Sequence, residues 1–148
     1  MNEDERFARV RVRRQLLPLL ETFNGQAVAA LGRTAELLRD EAQVMQQAAA
    51  ELLQAAQTGP KPSDAPPSDV APVSVKVLAD APKALQRRAL RLWLSQARGD
   101  TRRLAAVHLQ GVESLLKGVA GGRRAELPGG GRVTRRGGKL YWKSHTDT

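Results

Sequence analysis

The chain has 148 residues, a net charge of +9, no cysteine and only five aromatics, Phe7, Phe23, Trp93, Tyr141 and Trp142. The length fits one domain with a core built mostly from Leu, Ala and Val, a composition that favours helix over sheet. The lack of cysteine excludes disulfides, thiolate metal sites and Cys nucleophiles. No apolar run approaches the ~18 residues of a membrane helix, and Met1–Arg14 is charged with no apolar signal core. A cytoplasmic chain that does not enter a membrane is expected.

The charge is uneven: residues 81–99 and 123–148 carry +5 each, while residues 25–58 carry −2. Two basic segments suit a polyanion, through release of the counterions condensed on phosphates. A soluble Arg-rich protein with no such partner fits the same numbers.

In chain order, residues 3–23 read as a helix. Glu3, Asp4 and Glu5 sit at its positive end, and Phe7, Val10, Leu17 and Leu20 lie along a partly apolar stripe. Pro18 should kink or divide it, and Asn24-Gly25 should stop it. Residues 26–57 carry Leu31, Ala35, Leu38, Ala42, Met45, Ala49, Leu52 and Ala56 at spacings of three and four, which predicts a long helix with one sustained apolar face. The two helices are expected to form an antiparallel pair over 1–57. Residues 58–72 are rich in Pro, Ser and Asp and read as a flexible linker.

Val73, Val75 and Val77 alternate briefly and suggest a short extended segment. A helix follows over 81–97, with Asp80 as N-cap and Pro82 in its first turn. Leu85, Ala89 and Leu92 form its apolar side, widened by Leu90 and Leu94. Gly99-Asp100 ends it, and Leu104, Val107, His108, Val112, Leu115 and Val119 carry another helix to Gly121-Gly122. Beyond Glu126-Leu127-Pro128, the run Gly129–Gly131 reads as a turn. Gly137-Gly138 is a two-residue hairpin signal between Arg132–Arg136 and Lys139–Lys143. It sets Val133 opposite Trp142 and Arg135 opposite Leu140. The expected fold is mainly α: about four helices, with residues 73–143 forming a unit that ends in a small β-hairpin, then a disordered tail over 144–148.

No residue pattern carries catalysis or metal binding. There is no glycine-rich phosphate loop opening a helix. His145 lies in the tail, and His108 has no second ligand one helical turn away. The basic clusters stand out instead. Arg9, Arg11, Arg13 and Arg14 fall on neighbouring positions of one helix, and Arg suits bidentate phosphate contact. A solvated basic face paired with Glu3, Asp4 and Glu5 accounts for the same pattern.

Three segments match a known pattern in order. Asn2, Asp4, Phe7, Arg9, Val12, Arg13, Leu17, Pro18 and Leu20 resemble the segment that follows the catalytic domain in tRNA(Ile)-lysidine synthases; Val10 departs from it, where Asn is common. Ala84-Leu85-Gln86-Arg87-Arg88-Ala89-Leu90-Arg91 is similar to a helix of that family, followed by His108. Leu127-Pro128-Gly129-Gly130 with Val133, Arg136 and Leu140 is similar to its hairpin.

The resemblance implies a tRNA-recognition role beside a catalytic domain that activates the wobble cytidine with ATP (and Mg) and joins lysine to it. The family's Ser-Gly-Gly-x-Asp-Ser loop is absent here, so no cofactor is expected in this chain and no catalysis from it alone. A motif starting directly after Met1 reads as a fragment or a split gene. The implied partners are the isoleucine tRNA with a CAU anticodon and the catalytic domain of the same protein. The candidate tRNA contacts are Arg9, Arg11, Arg13, Arg87, Arg88, Arg91, Arg132, Arg135 and Arg136. Arg88 and Arg91 also fit ion pairs with neighbouring helices, and Arg13 a partly buried structural role. A stand-alone nucleic-acid-binding module, or a helical adaptor that binds protein or forms a homodimer through the Ala-rich helix, fits the residues alone.

Overall fold

A computed structural model describes residues 6–57, 68, 70–99, 104–118 and 124–144. The expectations placed on Asn2–Glu5, on linker residues 58–67 and 69, on Asp100, on Val119 and Gly121-Gly122, and on residues 145–148 lie outside the described residues. The chain divides into two compact units, Met1–Val44 and Met45–Thr148.

The first unit is helical. Helix α1, Ala8–Arg11, runs into a π-helical turn over Val12–Leu16 and then into α2, Leu17–Phe23. The Leu17 amide donates to the Val12 carbonyl, an i→i−5 bond. In an α-helix the Pro18 ring would meet the Arg14 carbonyl and no N–H would satisfy it. The wider π register just before Pro18 relieves that conflict without breaking the helix. Pro18 therefore divides the helix by changing its winding. Asn24 ends α2: its Oδ1 accepts from the Gln26 amide at 2.9 Å, and its carbonyl accepts from the Ala27 amide at 2.9 Å.

Helix α3, Ala27–Gln57, begins in the first unit and ends in the second. Its predicted apolar face is buried only towards its C-terminal end, at Ala49 and Ala56; Leu52 of that face is half-buried, and Leu53, outside it, is buried. Leu31 is 53% exposed and Leu38 58%, so the N-terminal half of that face does not build a core. Val10 is the one buried hydrophobic among the described residues of 6–44.

The second unit holds the core. Strand β1, Val73–Ser74, leads directly into the short helix α4, Val75–Ala79, whose first turn is capped weakly by Ser74 Oγ accepting from the Val77 amide at 3.4 Å. Helix α5, Lys83–Arg98, follows, with Pro82 at its N-cap and Gly99 at φ 75° as its left-handed C-cap. Asp80, expected to cap α5, instead closes α4 and bonds Lys76 at 2.6 Å. The buried stripe of α5 is Ala89, Leu90, Trp93 and Leu94. Ala89, Leu90 and Leu94 belong to the expected apolar side, Leu85 and Leu92 of that side are half-buried against the same core, and Trp93, not assigned to it from the sequence, is its largest buried side chain.

Helix α6, Ala106–Lys117, buries Val112, Leu115 and Leu116. Strands β2, Arg124–Glu126, β3, Arg132–Arg136, and β4, Lys139–Lys143, complete an antiparallel sheet of order β1-β4-β3-β2. The expected hairpin is present in the expected register, Val133↔Trp142 and Arg135↔Leu140. Gly137 and Gly138 both take positive φ, as a two-residue hairpin turn demands. The hairpin is part of a larger sheet, since β1 and β2 add to its two sides. Four strands with one face on helices resolve the marginal stability of a lone hairpin.

Part of the stretch read as linker is fastened to this core. Trp93 Nε1 donates to the Ala71 carbonyl at 2.9 Å, and the Trp142 amide donates to Ser68 Oγ at 3.2 Å. Those bonds fix Ser68 and Ala71 to α5 and β4. The fold is mainly α, with a four-stranded sheet at its C-terminal end where a two-stranded hairpin was expected.

Candidate nucleic-acid interface

The basic candidates fall into two groups, one in each unit. In the first unit, Arg9, Arg11 and Arg13 are all exposed. Arg13 is not the partly buried residue its distance from Val10 suggested. The Arg9 guanidinium lies over the Phe7 ring, 5.0 Å from its centre. This cation–π contact orients it while leaving its donors outward. Arg11 borders an open groove of about 500 Å³ with Ala8, Val12, Gln15, Leu16 and Leu19.

In the second unit, two of the candidates are engaged in holding the fold. Arg87 Nε donates to Glu113 Oε1 at 2.5 Å and Nη2 to Oε2 at 3.2 Å, a bidentate pair tying α5 to α6. The Glu113 side chain is 10% exposed and that of Arg87 46%. The hydrogen bond and charge of Glu113 push the Arg87 pKa above its ordinary value. Arg87, which the sequence placed among the tRNA contacts, is thus paired with an acid on a neighbouring helix.

Arg135 sits on the helix-facing side of β3. Its Nη1 donates to the carbonyls of Leu115 at 2.6 Å and Leu116 at 3.3 Å. These belong to the last turn of α6, where carbonyls lack intrahelical partners and the helix dipole favours a cation. Arg135 is thus a cap that joins hairpin to helix.

Of the remaining candidates, Arg91, Arg132 and Arg136 are exposed and Arg88 is half-buried. Alternation sends Val133 and Arg135 inward and Arg132, Thr134 and Arg136 outward. On β4 the outward set is Lys139, Tyr141 and Lys143, while Leu140 and Trp142 join the core. The register places Arg132 across from Lys143, Thr134 across from Tyr141, and Arg136 across from Lys139. On the other side Arg124 pairs with Thr134 and Glu126 with Arg132. The outer face therefore gathers Arg124, Arg132, Arg136, Lys139 and Lys143 around Thr134 and Tyr141, with Glu126 as its acid. Arg124 Nε and Glu126 Oε1 are 3.5 Å apart. The sequence candidates omitted Arg124, Lys139 and Lys143, although the hairpin register was enough to find the two lysines.

His108 has a structural task. Its Nδ1 accepts the Ala105 amide at 3.0 Å and so fixes the first turn of α6. Among the described residues no group of His, Asp and Glu is placed to hold a metal ion. Among them, too, no helix is long and apolar enough to cross a membrane.

The second unit is thus a helical module closed by a small sheet, with cations on the outer strand face. Residues 74–141, from the end of β1 to Tyr141 of β4, match the model of the TilS substrate binding domain. The tRNA(Ile)-lysidine synthase of Leifsonia xyli is 38% identical over 146 residues, 98% of this chain and 41% of that protein. The enzyme of the same name from Rhodococcus erythropolis is 40% identical over 117 residues, 78% of the chain and 32% of that protein. That of Nostoc sp. is 32% identical over 135 residues, 87% of the chain and 39% of that protein. The chain belongs to the tRNA(Ile)-lysidine synthase family and carries its substrate binding domain. It spans about a third to two fifths of the length of these relatives.

Proposed function

We propose that the chain is the tRNA-recognition portion of a tRNA(Ile)-lysidine synthase and acts in the cytoplasm. The observation that carries this reading is the coincidence of two things. The substrate binding domain match ends on β4, and the outer face of β2, β3 and β4 is where the exposed cations gather. Phosphate contacts fix the register and orientation of a nucleic acid without reading its sequence. A tRNA offers an A-form backbone and an unstacked loop, and such a face suits the backbone.

In this reading the whole enzyme uses ATP with Mg and lysine to convert the wobble cytidine of isoleucine tRNA to lysidine. The catalytic domain of the same protein supplies that chemistry. The present chain holds the tRNA so that its CAU anticodon reaches that domain. The exposed apolar residues Phe23, Leu31, Leu37 and Leu38 support a protein surface as a second partner of the first unit. The catalytic domain is the occupant this reading gives it.

Competition binding tests the proposal. The chain is titrated with labelled isoleucine tRNA bearing the CAU anticodon, then challenged with unlabelled elongator methionine tRNA. Tighter binding of the isoleucine tRNA shows that this portion discriminates. Equal binding makes it a general tRNA clamp, with discrimination elsewhere in the enzyme. A chain that binds neither tRNA is not a recognition module.

A further inference from the structure

We propose that the outer face of the C-terminal sheet is the phosphate-binding surface for RNA. Its contacts are two like-charged cross-strand pairs, Arg132 with Lys143 and Arg136 with Lys139. The inference rests on the tRNA reading and assigns it a place in the fold.

The pairing is fixed by register: each pair is directly opposite in the β3–β4 ladder. Directly opposed side chains on one face stand about 5 Å apart at Cβ, and like charges in that position are destabilising. The hairpin has two such pairs, one at each end of its five-residue strands, about 14 Å apart at ~3.4 Å per residue. Arg124 on β2 adds a further cation, and among the described strand residues Glu126 is the one carboxylate on the face. A surface that concentrates five cations against one acid on three short strands suits an anionic ligand. Two charge pairs set apart along the strands suit a ligand whose negative charge repeats, which is a nucleic-acid backbone.

The centre of the face is filled, and the exposed cations stand around it. Thr134 and Tyr141 lie opposite one another between the two pairs. Tyr141 is buried yet stands outside the hydrophobic cluster that takes Val133, Leu140 and Trp142. The sheet thus divides its work. Leu140 and Trp142 pack inward and Arg135 caps α6. The outward cations are presented on a rigid platform, which costs less ordering on binding than the same charges on a loop.

The test uses the full 148-residue chain. Isoleucine tRNA binding is measured across a salt series for the wild type and for Arg132→Gln with Lys143→Gln. Loss of two phosphate contacts is expected to weaken binding on the order of tenfold at moderate salt. It should also flatten the slope of log affinity against log salt by about 2. Elongator methionine tRNA should lose the same factor, because phosphate contacts carry no sequence information. Arg132 stands between Lys143 and Glu126, so loss of its charge removes one unfavourable and one favourable neighbour, and the melting temperature of the free protein should change little, which separates lost contacts from lost folding.

Arg136→Gln with Lys139→Gln provides a second variant at the other end, with the same expected loss. Lys76→Gln with Lys83→Gln removes equal charge from α4 and α5, and should change the slope by clearly less. Wild-type binding that the two sheet variants do not alter, or that the α4/α5 variant alters equally, overturns the proposal and leaves tRNA recognition standing. A wild type that binds no tRNA at low salt overturns both.

Discussion

Gly131 shows how single residues set this fold. A Cβ added there would lie 1.9 Å from Trp142 Cη2. Trp142 is almost fully buried, so it has nowhere to withdraw. Gly131→Ala should cost at least about 1–3 kcal/mol by overpacking, read as a lower midpoint in urea unfolding. At Trp93 two effects can be separated. Trp93→Ala should cost about 3–5 kcal/mol through the cavity it leaves. Trp93→Phe keeps much of the volume but leaves the Ala71 carbonyl without its donor, and should cost roughly 1–3 kcal/mol. Equal losses for the two would mean that the hydrogen bond, and not the packing, dominates.

The Arg87–Glu113 pair also makes a statement about pH. Glu113 raises the Arg87 pKa above its ordinary value, first by hydrogen bonding and then by charge. A raised basic pKa contributes stability below the unfolded pKa, lost only as pH rises through the folded one. For an arginine that window is strongly alkaline. Titration of Arg87 should therefore leave stability flat between about pH 6 and 9. Arg87→Gln should lower the melting temperature throughout that range, because it leaves a carboxylate with little solvent facing a neutral amide.

Elements differ in how much of them the sequence reveals. The β3–β4 hairpin was legible to the residue, because Gly137-Gly138 fixes a two-residue turn and a fixed turn fixes the register. Strand β2 was not, and β1 was legible only as a short extended segment at Val73, Val75 and Val77, which the structure confines to Val73–Ser74 before α4 begins. With two and three residues they are shorter than any window in which alternation can be counted. The short α4 was hidden for the same reason, and Asp80 looked like the N-cap of α5 when it closes the helix before. Charge roles were legible only through geometry. Arg135 opposite Leu140 already belongs to the inner face, and that makes it a cap. Which of Arg87, Arg88 and Arg91 meets Glu113 depends on the rotation of α5 about its axis, set by the packing of Ala89, Leu90, Trp93 and Leu94 together.

Helix α3 is one element in two environments. Its residues 45–57 bury Ala49, Leu53 and Ala56, while Leu31, Leu37, Leu38 and Val44 are exposed. Helical propensity alone holds little in water; burial of an apolar face supplies most of the stability. Amide hydrogen exchange should therefore run markedly faster over residues 27–44 than over 45–57, although the backbone is continuous. Uniform protection along all of α3 would show that the first unit is stabilised by more than the described contacts.

At the scale of the molecule, charge and core are separated by function. The apolar residues of α4, α5, α6 and one sheet face make a closed cluster, and the other sheet face carries the cations. The long Ala-rich helix was the clearest signal in the sequence, yet half of its face is unused within the chain. The less conspicuous C-terminal segment holds both the family match and the candidate interface. A bound tRNA should stabilise that unit by mass action, adding about 2.7 kcal/mol at a concentration a hundredfold above its Kd.

The most direct measurement is the affinity of the purified chain for isoleucine tRNA with the CAU anticodon as a function of salt. Recognition through an exposed cationic surface predicts tight binding at low salt and a straight, steep fall of log affinity with log salt, with a slope of several units. Binding that is absent at low salt, or that persists unchanged at high salt, would contradict it.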